Sequence, residues 1–135
     1  MKESCKPGIK KTRRVTVDEA RVTRHMDGKT GVYGTPFLVR DIESLCHDLL
    51  VEHLDNGEGS VGTRVDVRHL AATPEGLWVE LTATVTEVDR RAVTFSVQGR
   101  DAMEEIASCT HSRFVVDLDK IKERLTAKIA KAEGL

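Results

Sequence analysis

A chain of 135 residues carries 21 Lys and Arg against 22 Asp and Glu, for a net charge of −1, with 39% hydrophobic and only 4% aromatic residues. That length suits one domain with a modest core, and a protomer of this size gains from burying more surface in an oligomer. The charge balance argues against a nucleic-acid binder, whose footprint is basic. No apolar run is long enough to span a bilayer and no signal-peptide core follows the N-terminal charges, so a cytoplasmic protein without a membrane partner is expected.

The N-terminal stretch is locally basic, with Lys2, Lys6, Lys10, Lys11, Arg13 and Arg14 against Glu3. Residues 1–13 are read as a frayed tail, or as a handle for a phosphate-bearing ligand or RNA, ahead of a single domain over 14–135. Arg14 to Val22 begins as a strand with Val15 and Val17 on one face, until Asp18 and Glu19 break the alternation. His25 to Gly34 is glycine-rich and reads as a loop.

Thr35 then fits a helix N-cap and Pro36 the first helical position, where a missing N–H is harmless. The spacing predicts a helix over Thr35–Leu54 with two adjacent stripes, Leu38, Ile42, Leu45, Leu49 and Val39, Glu43, Cys46, Leu50. A helix so broadly apolar is enclosed by other elements. Glu43 is out of place in it. A carboxylate on a core-facing position costs several kcal/mol, on the order of buried-charge penalties, unless a partner relieves it. Either the helix rolls to bring Glu43 to the rim, or the residue is kept for chemistry.

Asn56 to Gly59 is a turn, and from Val61 the period becomes two. Val61, Thr63, Val65, Val67 and His69 share one face, taken as inward. Gly62, Arg64, Asp66, Arg68 and Leu70 share the other. Thr73-Pro74-Glu75-Gly76 is a turn, Leu77 to Val85 a strand, Asp89 to Arg91 a turn, Val93 to Val97 a strand, Gly99 to Asp101 a turn, and Ile106 to Val116 a last strand. Asp119 to Ala130 closes the chain as an amphipathic helix through Ile121, Leu125 and Ile129. Short turns of this kind join antiparallel neighbours, so the expected fold is α+β, one antiparallel sheet curled around the central helix.

Three residues could converge on chemistry. Thr35 opens the central helix, whose free N–H groups and dipole suit a developing oxyanion. Glu43 lies roughly 12 Å further along the axis. His69 ends a strand that could pack over the helix. Each has an ordinary alternative as a cap, a rim carboxylate or a core histidine; together they suggest acyl transfer or hydrolysis. Gly62, inside a strand, marks a bulge or the close approach of a ligand. Arg113 lies across the last strand from Thr110 and Phe114, as a solvated side chain or an anion clamp. Cys5, Cys46 and Cys109 lack metal or redox spacing, and Cys46 reads as a small buried hydrophobe. No histidine spacing calls for a metal, so none is expected.

The stretch GEGSVGTRVDVRHLAATPEG from Gly57, with TPFLVRDIESLC from Thr35 and EEIASCTHSR from Glu104, resembles the fluoroacetyl-CoA thioesterase family of the hotdog-fold superfamily. The likeness runs from about Val15 to Lys120. It implies a hotdog fold of five antiparallel strands around the helix. It also implies a homodimer (or a tetramer built from two) with joined sheets and acyl-CoA sites at the subunit interface. By the resemblance, Thr35, Glu43 and His69 are catalytic, with Glu43 acting as nucleophile or as general base; Gly62 lines the acyl pocket and Arg113 lies near the site. Coenzyme A enters as part of the substrate and no cofactor is needed. The phenylalanines that precede the family's threonine are absent here, where Tyr33 is the one aromatic residue of the lid segment. That points away from fluoroacetyl-CoA and toward a short- or medium-chain acyl-CoA. Two rivals stand beside a hydrolase: a non-catalytic acyl-CoA-binding protein, and a hydratase, whose Asp/His spacing His25 and Asp27 do not reproduce.

Overall fold

In the computed structural model, which describes residues 1–135, the chain runs β1 (Lys10–Thr16), a 3-10 turn (Glu19–Arg21), β2 (Val22–Thr23), β3 (Val32–Tyr33), α1 (Thr35–Val51), β4 (Glu58–His69), β5 (Trp78–Asp89), β6 (Ala92–Arg100), β7 (Glu105–Asp117) and α2 (Leu118–Glu133). Five strands form one antiparallel sheet in the order β1-β5-β6-β7-β4, and β2 pairs with β3 beside it. Both stripes of α1 are buried, through Leu38, Ile42, Leu45 and Leu49 and through Cys46 and Leu50. They share one core with Val79, Leu81, Ala83 and Val85 of β5, Val93, Phe95 and Val97 of β6, and Ile106 and Val115 of β7. Each of the large side chains contributes about 1.5–3 kcal/mol by leaving water. This is the expected helix-in-sheet wrap, the hotdog fold, with α2 appended. Asp117 caps α2 by accepting the Lys120 N–H at 3.1 Å, and none of its residues is buried. No helix is long and apolar enough to cross a membrane.

Four local expectations are corrected. First, the Thr73–Gly76 turn does not make a hairpin, because β4 pairs with β7 at the far edge and β5 with β1 and β6. The link from β4 to β5 crosses between distant strands and docks on β3, with the Tyr33 N–H donating to the Thr73 carbonyl at 2.8 Å. Second, the alternation of β4 breaks at a bulge between Gly62 and Arg64. The extra residue, Thr63, turns its hydroxyl onto the Ser112 carbonyl at 3.2 Å. Directly opposed residues share a face. Gly62 faces Arg113 and Val65 faces His111, on the inner side, while Val61 faces Phe114 on the outer side. Gly62 is therefore inward and Val61 outward, the reverse of a straight strand.

Third, the N-terminal residues are docked. The Met1 amine donates to Asp55 at 2.8 Å and to Glu58 at 2.5 Å, Cys5 is buried, and β1 starts at Lys10. Lys11, Arg13 and Arg14 pair with Glu52, Asp48 and Glu80, so half of the basic cluster is neutralised inside the chain. Fourth, the loop before α1 contains β3, and the cap of α1 is Gly34 rather than Thr35.

Candidate active site

Gly34 caps α1 in extended conformation (φ −77°, ψ 138°), and its carbonyl accepts from the Phe37 and Leu38 N–H groups at 3.0 Å. A Cβ there would sit 2.5 Å from Thr23 Cγ2 and 2.9 Å from Phe37 Cδ2, which explains the glycine. With Gly34 in the cap position, the Thr35 side chain is free for another partner. Its Oγ1 lies 2.8 Å from His69 Nδ1. The two line a cavity of about 370 Å³ with Thr23, Val32, Tyr33 and the backbone turn Leu70–Ala72.

His69 Nε2 is the one buried side-chain polar atom in the chain without a hydrogen-bond partner. Leaving such a group unmet costs about 1–3 kcal/mol. With Nδ1 taken by Thr35, Nε2 is the ring atom left without a partner. Burial holds the imidazole below its ordinary value, so it is neutral near pH 7.

Glu43 stands elsewhere. Its side chain is 43% exposed at the rim, and Oε2 lies 3.8 Å from Arg113 Nη1. Arg113 is buried and its guanidinium is spent within the chain. Nε donates to Ser60 Oγ at 2.8 Å, Nη2 to the Ser60 carbonyl at 3.2 Å, and Nη1 to His111 Nε2 at 3.2 Å. Gly62 faces this cluster, where a Cβ would stand 3.1 Å from Glu43 Oε2 and 3.4 Å from Arg113 Nη1. One chain thus pairs Thr35 with His69 and groups Glu43 with Arg113 and Gly62. About 12 Å of helix axis separates Thr35 from Glu43. Neither Gly62 nor Arg113 lines the Thr35–His69 cavity, whereas Tyr33 does.

Sequence reasoning passed over His111, although alternation places it inward beside Cys109 and Arg113. It is fully buried, and Nδ1 donates to the Arg64 carbonyl at 2.7 Å while Nε2 accepts from Arg113. Both ring nitrogens are therefore satisfied only in the neutral form, and burial, with the guanidinium charge, keeps its titration low. A buried histidine with a lowered folded pKa binds fewer protons than the unfolded chain. Its stabilising share, like that of His69, is complete above the ordinary value of 6.5 and is lost as pH falls toward the lowered folded values. The urea midpoint is expected to be lower at about pH 5.5 than at about pH 7.5, and equal midpoints would contradict this.

The thiols are inert by environment. Burial pushes Cys46 up to about 12 and Cys109 up to about 11, so neither is a thiolate near neutrality. No group of three or more His, Cys, Asp or Glu side chains is gathered as metal ligands would be.

The family described as fluoroacetyl-CoA-specific thioesterase matches residues 17–119. The chain belongs to this family. As a member of the fluoroacetyl-CoA-specific thioesterase family it is a thioester hydrolase. The fluoroacetyl-CoA thioesterase of Streptantibioticus cattleyicolor is 33% identical to it over 135 residues, covering 95% of this chain and 97% of that protein. A solved variant of a fluoroacetyl-CoA-specific thioesterase in complex with fluoroacetate and CoA superposes with a TM-score of 0.76 at 34% identity, over 85% of this chain and 98% of that one. A thioesterase superfamily member from Thermus thermophilus superposes with a TM-score of 0.87 at 19% identity, over 96% of each chain, and supports the fold alone.

Proposed function

We propose that this protein hydrolyses short- or medium-chain acyl-CoA thioesters. The observation that carries the proposal is the Thr35–His69 pair at 2.8 Å, set at the N-terminus of α1 with His69 Nε2 unspent. The free N–H groups and positive dipole end of α1 suit the carbonyl oxygen as it gains charge. Glu43 attacks the carbonyl carbon, or takes the proton of a water that does. The C–S bond breaks and the departing sulfur receives a proton by way of His69, giving the coenzyme A thiol. Where water attacks, the acid forms in the same step; where Glu43 attacks, a water then hydrolyses the acyl–Glu43 anhydride, releasing the acid and restoring the carboxylate. Thr35 orients the imidazole. In this scheme Gly62 leaves room beside Glu43, Arg113 holds the Glu43 charge, and Tyr33 bounds the acyl group. Side chains and water suffice, with coenzyme A arriving as part of the substrate.

The separation of Glu43 from Thr35 favours a site completed by a second copy. The outer edge of β4 pairs with nothing, and Val61 and Val65 on it are 43% and 37% exposed. A homodimer that joins two sheets at β4 would cover both and satisfy the free backbone groups. We read the protein as such a dimer, acting in the cytosol.

The test is free-thiol release from acetyl-, fluoroacetyl-, butyryl- and hexanoyl-CoA, with Glu43→Ala as control. Release by the wild type alone is expected, greatest for an unfluorinated ester. Binding without release from any ester would favour the non-catalytic acyl-CoA-binding protein.

A further inference from the structure

One buried carboxylate has no part in this chemistry. Asp41 is 7% exposed, on the face of α1 that carries Leu38 and Ile42. Its Oδ2 accepts from Tyr33 Oη at 2.5 Å and from Arg21 Nε at 2.8 Å, and its Oδ1 accepts from Arg21 Nη2 at 3.2 Å. Three segments meet there: the 3-10 turn that ends at Arg21, strand β3, and α1. The Gly34 N–H donates to the Arg21 carbonyl at 2.9 Å and closes the same loop from the backbone side. The Tyr33 ring, 1% exposed, stands edge-on to the His69 ring, with centroids 6.3 Å apart and planes at 82°. It also walls the cavity that holds Thr35 and His69.

Buried ion pairs are weak contributors to stability, and apolar groups of the same volume would fill this space as well or better. What charge-assisted hydrogen bonds add is direction. A phenol tethered to a carboxylate that is itself gripped by a guanidinium is held by directed bonds as well as by packing, where a phenylalanine would be held by packing alone.

We propose that Arg21, Asp41 and Tyr33 form a fixed wall that positions His69 and limits the length of the acyl group the cavity accepts. Tyr33 is the specificity-determining residue, while Asp41 and Arg21 are positioning residues that act through it. The limit on acyl length rests on the thioesterase reading; the positioning of His69 does not.

Two variants loosen the wall without removing a ring. Asp41→Asn weakens both tethers. Tyr33→Phe removes only the hydroxyl, keeps the Asp41–Arg21 pair and carries the test if Asp41→Asn does not fold. In the folded variants the His69 ring-proton resonances, which feel the neighbouring aromatic ring, are expected to move from their wild-type positions. The kcat/KM ratio of hexanoyl-CoA to acetyl-CoA is expected to rise about ten-fold, the scale of discrimination a hydrophobic pocket achieves. Unmoved His69 resonances with an unchanged ratio would overturn the proposal. If the wild type hydrolyses no ester, the thioesterase reading falls and the resonances alone decide whether the wall positions His69.

Discussion

Glu43→Gln is expected to lower kcat by roughly 10²- to 10⁴-fold, the range lost with an acid–base group, while leaving the protein folded. The amide has nearly the shape of the carboxylate but neither attacks a thioester nor takes a proton from water. Arg113 loses the one carboxylate within 4 Å of it, yet that contact is 3.8 Å long and Glu43 is 43% exposed. Solvent screens such a pair, so the stability lost is about 0–1 kcal/mol. Steady-state rates and a urea titration on the same sample separate the two effects. Undiminished turnover would remove Glu43 from the mechanism, and an unfolded variant would show that its role is structural.

Arg113→Ala is expected to act the other way, lowering stability by about 2–4 kcal/mol through a cavity and through buried acceptors left without donors. The Ser60 carbonyl, Ser60 Oγ and His111 Nε2 all take hydrogen bonds from this one guanidinium. Against a total of roughly 5–15 kcal/mol, that is a large share. Arg113→Met would restore volume but no donors, and should recover only part of the loss. A urea midpoint within error of wild type for Arg113→Ala would mean that the network carries no weight. The sequence offered Arg113 as an anion clamp. The anion it faces is the chain's own Glu43.

Local pattern made much of this fold legible. The two stripes of α1, the alternation of β5 to β7 and the amphipathic α2 each follow from spacing, since each element buries one side against the same core. The site was legible where it depended on element ends: Thr35 opens a helix, His69 closes a strand, and the two meet. What spacing could not reveal lay in pairing between distant segments. The Thr73–Gly76 turn has hairpin chemistry, but β4 pairs across the sheet with β7, a choice made by the whole wrap around α1. One bulge at Thr63 reverses every face assignment before it, turning Gly62 toward Glu43. Asp41 sits plainly on the core face of α1 by spacing, yet its partners Arg21 and Tyr33 arrive through a loop whose course no periodicity records.

The place of β4 in the sheet also governs the order in which this chain can fold. Its ladder with β7, from Glu58 opposite Asp117 to His69 opposite Ala107, joins segments with two other strands between them in sequence. A contact so distant along the chain must wait for loop closure, which slows folding. During synthesis β4 emerges well before its partner and meanwhile shows two unpaired edges, one of which remains the open edge of the finished sheet. The newborn protein therefore passes through a stage at which its own strand is open to mispairing, and any truncation within β7 would leave it there.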